Sequence, residues 1–176
     1  MIETERLRLR EWRDADIDPF QRICSDPQVM ATLGPPLDRA ATVALVERMK
    51  ALQARLGHCF WAVEERWDAS LIGWCGLIRG TVGPIADKLE IGWRLASHRW
   101  GHGFATEAAR ATLAWAFANC DEDAVWAITA QTNARSRAVM ERLGMNHCPE
   151  ADFDHPSVPE GDPLRRHVLY RLARQT

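Results

Sequence analysis

The sequence predicts an α+β (mixed α/β) fold, and three observations carry that prediction. The length of 176 residues suits one domain, residues 1–176, with its own hydrophobic core. Hydrophobic residues make up 47% of the chain and charged residues 26%, which is ordinary for a globular protein. Segments with apolar residues at helical spacing are interspersed with segments that alternate as strands do.

Net charge, the lack of long apolar runs and the spacing of the cysteines limit the partners and the location that we expect. A net charge of -2 argues against nucleic acid or a membrane surface as partner. Met1 leads directly into Glu3, Glu5 and Arg6, with no apolar leader, and no apolar run approaches the length of a membrane span. The five cysteines are scattered singly, which is typical of reduced thiols. We therefore expect a cytoplasmic protein without a metal site.

The first part of the chain predicts one strand and two helices. Residues 5–12 alternate and read as a strand with Leu7 and Leu9 on one face. Asp14 is expected to cap a helix that runs towards residue 24. Asp38 is expected to cap a longer helix, which Gly57 ends.

The middle of the chain predicts a hairpin and a further strand. Residues 59–65 and 71–79 are joined by a turn-prone segment and read as antiparallel strands. Residues 88–96 form the next strand, and its alternation separates two faces. Leu89, Ile91, Trp93 and Leu95 share one face, and Glu90, Gly92 and Arg94 share the other.

The last part predicts helices over 103–119 and from a cap at Thr132 or Asn133 to Leu143, with a strand over 125–129 between them. Extended segments around 145–147 and 168–172 follow, separated by a long loop that contains four prolines.

A glycine-bearing loop at the entrance to the 103–119 helix gives the sharpest chemical signal. Gly101 and Gly103 let backbone N–H groups approach an anion closely, and the helix N-terminus adds partial positive charge. A phosphate or pyrophosphate group is the expected ligand of this loop. The Walker loop is excluded because its Gly-Lys-Ser/Thr ending is absent. A dinucleotide site is disfavoured, because Thr106 stands where a small residue is needed and no ribose-binding acid follows the strand near Gln131.

Residues 89–95 and 100–108 together resemble motif A of the GNAT superfamily of acyl-CoA N-acyltransferases. Residues 133–145 resemble the N-x-x-S…L-G-[FM] helix of the branch that includes the bacterial ribosomal-protein alanine N-acetyltransferases, and residues 4–10 resemble its first strand. The resemblance covers essentially the whole chain. It implies a GNAT-like fold, with a central, mostly antiparallel sheet of about seven strands and helices on both faces.

The resemblance also implies acetyl-CoA as acyl donor and a set of residues that bind it. Backbone amides from Gly101 to Thr106 would hold the pyrophosphate, and main-chain groups of residues 93–95 would meet the pantetheine arm. The implied donor-binding residues are Trp93, Arg94, Leu95, Trp100, Gly101, His102, Gly103, Phe104, Ala105, Thr106, Asn133 and Ser136.

Two positions depart from the wider family pattern. Trp100 stands where many members have Gln or Arg, and Met140 stands where many have a tyrosine thought to protonate the departing thiolate. Ser136 is a substitute for that general acid, and unassisted departure of the thiolate is the alternative.

Acyl transfer to an amine requires a neutral nitrogen, so a carboxylate at the acceptor mouth would serve as base. Glu90 is the expected base, and the alternative interpretation is that it only pairs with an arginine or covers polar surface. Glu107, in the first turn of a helix, favours a structural role. His98 and His102 straddle a loop without a third ligand, which disfavours a metal site.

The predicted function is therefore transfer of an acetyl group from acetyl-CoA to a primary amine by direct attack in a ternary complex. The alternative is a catalytically silent acetyl-CoA-binding regulatory module. The acceptor is a small-molecule or peptide amine, and a homodimer is expected by analogy alone. Acids of the late loop are candidates for flanking the acceptor pocket, namely Asp152, Asp154 and Glu160 together with His155.

Overall fold

A computed structural model describes residues 1–175 of the chain, which contain nine strands and five α-helices. The strands are β1 (Ile2–Glu3), β2 (Leu7–Arg10), β3 (Phe60–Glu65), β4 (Leu71–Arg79), β5 (Leu89–Leu95), β6 (Ala124–Ala130), β7 (Asn146–His147), β8 (Phe153–Asp154) and β9 (Arg166–Ala173). The helices are α1 (Ile17–Ser25), α2 (Pro27–Met30), α3 (Arg39–Leu56), α4 (Phe104–Asn119) and α5 (Ala134–Arg142).

All nine strands belong to one sheet in the order β1-β2-β3-β4-β5-β6-β9-β7, with β8 also paired to β9. Every pairing is antiparallel except the one between β5 and β6, which is parallel. Parallel neighbours need a crossover connection, and α4 supplies it. The expected mostly antiparallel sheet is confirmed.

Helices cover both faces of the sheet, as predicted. Neighbouring residues of a strand point to opposite faces. The ring of Trp74 packs against Phe20 of α1, with centroids 5.1 Å apart. Next to it, Cys75 Sγ lies 3.6 Å from the Thr112 hydroxyl of α4. Helix α1 therefore covers one face of the sheet at β4 and β5, and α4 covers the other.

The sheet has nine strands where about seven were predicted, because two-residue strands leave no alternation to detect. The additional strands are β1 and β8, and the four-residue helix α2 was also missed. Each is positioned by its neighbours, as when β1 pairs with β2.

The helix caps confirm three predictions and correct one. Asp38 accepts the Ala41 N–H at 2.7 Å, Gly57 ends α3 with φ of 74°, and Asn133 accepts the Ser136 N–H. Asp14 does not cap α1, because its carboxylate binds Lys50 instead. Of the helices between residues 1 and 175, none combines the length and apolar character that crossing a bilayer requires.

Candidate active site

A cleft of about 890 Å³ opens where β5 and β6 diverge. The two strands pair at a single position, Glu90 with Trp126, and beyond it their carboxyl ends separate. Helices α4 and α5 begin just after those ends, so both helix N-termini face the cleft. Ligands of α/β sheets bind at such places, outside the carboxyl ends of parallel strands.

Backbone groups of β5 are exposed in the gap between the two strands. The Ala96 N–H donates to Ile72 C=O at 2.9 Å, which directs the even-numbered residues of β5 towards β4. Trp93 and Leu95 therefore point their backbone groups into the gap. The Leu95 carbonyl accepts the indole N–H of Trp100 at 2.9 Å. Arg94 directs its main chain to β4 and instead brings its side chain to the cleft.

A row of six backbone N–H groups, from residue 101 to residue 106, leads into α4, and all of these residues except His102 line the same cleft. Within residues 1–175, none of the six donates a hydrogen bond, and the first donor after them is Glu107 N–H to Gly103 C=O. The chain turns here through left-handed conformations at Gly101 and Gly103, with φ of 81° and 82°. Glycine adopts these angles without the steric cost that other residues meet. A row of free donors at a helix N-terminus fits a phosphate group.

The loop is fixed from behind by an ion pair with the N-terminal segment. Arg6 Nη1 donates to the His102 carbonyl at 3.0 Å, and the Arg6 guanidinium binds Glu107 at 2.6 Å. Glu107 also accepts the Thr4 hydroxyl at 2.6 Å. Burial acts to raise the pKa of Glu107, but hydrogen bonds from Thr4 and Arg6 outweigh it and hold the pKa below its usual range. These contacts give Glu107 the structural position that its place in α4 predicted.

Aromatic side chains of the loop take different positions. Trp100 is half-buried, and the Arg135 guanidinium lies 4.5 Å from its ring centroid. Phe104 is buried beneath Arg6, with 4.6 Å between the guanidinium carbon and the ring centroid. His102 is exposed, and its side chain lies outside the cleft.

Across residues 1–175, the acidic, histidine and cysteine side chains form no group of three that could hold a metal ion.

The opposite wall of the cleft is the start of α5. Asn133 ties this helix to β6, since its side chain donates to the Thr129 hydroxyl at 2.9 Å while accepting the Ser136 N–H at 3.2 Å. The Ser136 hydroxyl is half-buried, lines the cleft and makes no hydrogen bond within residues 1–175. Met140 also lines the cleft and is 1% exposed, so the wall is apolar at this position.

Glu90 lies in the cleft on the face of β5 opposite to α4, as its alternation predicts. It is half-buried, and its carboxylate makes no hydrogen bond or ion pair with any group in residues 1–175. Burial raises the pKa of Glu90 to about 7, against the opposing charge of Arg48 on α3. Residues 1–175 therefore contain no close ion pair between Glu90 and an arginine, which was one alternative interpretation of this residue.

Several cleft residues were missed by sequence reasoning. Gln28 and Val29 of α2, Phe60 of β3 and Trp74 of β4 line the wall next to Glu90. They come from three separate segments, and no local pattern links them. The four loop residues proposed to flank the acceptor do not line the cleft; Asp152, for example, binds His147 at 3.0 Å and the Leu169 N–H at 3.0 Å.

Known proteins share this sequence pattern and fold. A family model described as an acetyltransferase (GNAT) domain matches residues 6–146. The uncharacterized protein YkkB of Bacillus subtilis is 30% identical over 147 residues, 83% of this chain and 85% of that protein. The FsC-acetyl coenzyme A-N(2)-transacetylase of Aspergillus fumigatus is 30% identical over 117 residues, 61% of this chain and 48% of that protein.

Solved structures agree with the family assignment. The acetyltransferase from Agrobacterium tumefaciens superposes with a TM-score of 0.80 at 28% identity, covering 98% of this chain and 94% of the other. RimL, a ribosomal L7/L12 alpha-N-protein acetyltransferase solved with coenzyme A, has the same fold, with a TM-score of 0.77 at 16% identity over 97% of this chain and 95% of that one. With a row of free amides beside a splayed strand pair, and a family match over most of its length, this chain belongs to the GNAT acetyltransferase family.

Proposed function

We propose that residues 1–176 act as one domain that transfers an acetyl group from acetyl-CoA to a primary amine by direct attack in a ternary complex. The observation that carries this proposal is the unpaired carboxylate of Glu90, which shares one cleft with the row of free N–H groups at residues 101–106. One element is suited to a base and the other to a phosphate-bearing donor.

The donor-binding role is assigned to the loop and to the two strand ends. The six N–H groups would hold the pyrophosphate, and the backbone of Trp93 and Leu95 would meet the amides of the pantetheine arm. The side chains of Trp100, Phe104 and Asn133 shape this site by packing and by hydrogen bonds. The donor supplies the acetyl group as an activated thioester.

Glu90 is assigned the role of general base. A peptide or amino-acid α-amine has a pKa of about 8, so much of it is protonated at neutral pH. A carboxylate with a pKa of about 7 is about half ionised there and is a far better proton acceptor than an ordinary glutamate. Glu90 would take the amine proton directly or through one water.

Ser136 is assigned the role of general acid towards the departing thiolate, because its hydroxyl lines the cleft without a partner in residues 1–175. The buried thioether of Met140 cannot donate a proton. Tyr170 does not line the cleft, and its hydroxyl is engaged with Glu141 at 3.3 Å. Unassisted departure is the alternative for this step.

A peptide α-amine is the acceptor class that the branch resemblance favours. RimL, which shares the fold, is named for acetylating the α-amine of a ribosomal protein. A second candidate function is a silent acetyl-CoA-binding module, and the specific observation behind it is the apolar Met140 at the usual tyrosine position.

Thermal unfolding with and without acetyl-CoA tests the donor site, with NAD as the comparison ligand. Acetyl-CoA at about 100 times its dissociation constant should stabilise the fold by about 2.7 kcal/mol. For a domain of this size the midpoint should rise by roughly 5–10 °C. Glu90→Gln should show the same rise while its thiol release with an amine acceptor falls about 100-fold or more. A shift with NAD alone would contradict the proposal, and binding without thiol release on any amine would favour the silent module.

A further inference from the structure

The side chain of Arg94 carries a positive charge into the cleft, and within residues 1–175 it has no carboxylate partner. Its guanidinium carbon lies 4.9 Å from the ring centroid of Trp74, and Nη1 donates to the Cys24 thiol sulfur at 3.1 Å. Thiol sulfur is a weak acceptor. Within residues 1–175 no carboxylate lies at ion-pair distance from this guanidinium, and its covered Nε has no acceptor.

The other arginines of the cleft are either paired with a carboxylate or exposed, although the covered Nε of Arg99 also lacks an acceptor in residues 1–175. Arg99 binds the Glu65 carboxylate at 3.0 Å. Arg135 and Arg142 are exposed, so water satisfies their donors. Arg94 alone among these four is half-buried without an anion in the part of the chain described. Arginine is almost never fully withdrawn from water without a partner, and its planar guanidinium matches a carboxylate in two hydrogen bonds.

The position of Arg94 places it on the same side as the proposed base. Arg94 and Glu90 lie on one face of β5, four residues or about 13 Å apart along the strand. Gly92 between them is covered by Phe60, whose ring would lie 2.9 Å from an added Cβ. This face meets α1, whereas the row of amides proposed to bind phosphate belongs to the start of α4 on the other face.

We infer that Arg94 is a specificity-determining residue that binds a carboxylate of the acceptor, so that the acceptor class is amines with a free carboxylate. This inference rests on the proposed acetyltransferase function. The distance between Arg94 and Glu90 favours acceptors whose amine and carboxylate are several ångströms apart, as in short peptides with a free C-terminus. The amine end would then reach Glu90 while the carboxylate end pairs with the guanidinium.

Matched acceptors test the inference. Diglycine and triglycine are each compared with the corresponding C-terminal amide. The amide has the same length but lacks the negative charge that Arg94 would bind. In the wild-type protein kcat/KM should favour the acids by about 10- to 100-fold, mainly through KM. Arg94→Gln should bring that ratio close to one, and Arg94→Lys should restore part of it. Arg135→Gln is the control, since that exposed arginine should not alter the ratio.

Binding measurements keep the inference apart from the proposed function. Calorimetric titration with N-acetyl-diglycine and its amide repeats the comparison without turnover, and the Kd of acetyl-CoA for Arg94→Gln should stay within about twofold of wild type. Equal use of acids and amides would overturn the inference while leaving the acetyltransferase proposal intact. A large loss of acetyl-CoA affinity in Arg94→Gln would overturn it by assigning the residue to the donor. No acetyl-CoA binding by the wild type would overturn the proposed function itself.

Discussion

Two glutamates of the same sheet, Glu64 on β3 and Glu90 on β5, lie in opposite electrostatic surroundings. Glu64 is 3% exposed and accepts hydrogen bonds from Arg10 at 2.7 Å and Arg8 at 3.1 Å. Arg10 also binds Asp16 at 2.7 Å, which completes a buried network at the N-terminal side of the sheet. Glu90 has no such partner in residues 1–175 and opens onto the cleft.

The difference separates a charge that serves the fold from a charge that is available for chemistry. A buried carboxylate surrounded by guanidinium groups is compensated, and its oxygen atoms are already used. A half-buried carboxylate without a partner makes the folded state less stable when ionised, but it retains a free oxygen and a pKa near neutrality. Substitution of each residue by its amide should therefore shift stability in opposite directions.

The larger effect is expected for Glu64→Gln. Removing this charge leaves Arg10 with Asp16 alone in a buried site, so the free energy of unfolding should fall by on the order of 3 kcal/mol in urea titrations. Glu3→Gln is the matched control, because Glu3 also binds Arg8 but is exposed, and it should leave the unfolding midpoint unchanged. Equal midpoints for Glu64→Gln and wild type would show that the network is not a stabilising element.

A smaller effect of opposite sign is expected for Glu90→Gln. The folded pKa of about 7 lies above the ordinary value of 4.5, so the folded state binds the proton more tightly than the unfolded state. Wild-type stability should therefore fall as pH rises from about 4.5 to about 7. Relative to Glu90→Gln, the wild type should lose about 2 kcal/mol between roughly pH 5.5 and pH 8. Parallel pH profiles for the two proteins would argue against a raised pKa.

Local patterns predicted much of the fold and part of the site. Alternation along β5 placed Glu90 opposite the face packed against α4, and the glycines predicted the free amides at residues 101–106. Cap residues such as Asp38 bind a backbone N–H three residues away, so the sequence predicted them equally well. These features depend on the chain within a few residues of each signal.

Features that depend on distant segments could not be predicted. The sequence around Arg94 does not reveal that its guanidinium meets Cys24 and Trp74, or that it lacks a carboxylate. Asp14 resembles a cap but binds Lys50, which is 36 residues away. The acids of the late loop suggested an acceptor pocket by composition, yet in the structure Asp152 joins β7 to β9 through His147 and Leu169.

The contrast between the two glutamates depends most on the ionisation of Glu90. Carbon-13 NMR of protein labelled at glutamate side-chain carboxyl carbons measures it directly, with Glu90→Gln identifying the signal by its loss. We predict a carboxyl that titrates near pH 7, absent from the variant. A Glu90 signal that titrates near the ordinary value of 4.5 would contradict the assignment of an uncompensated carboxylate and, with it, the proposed base.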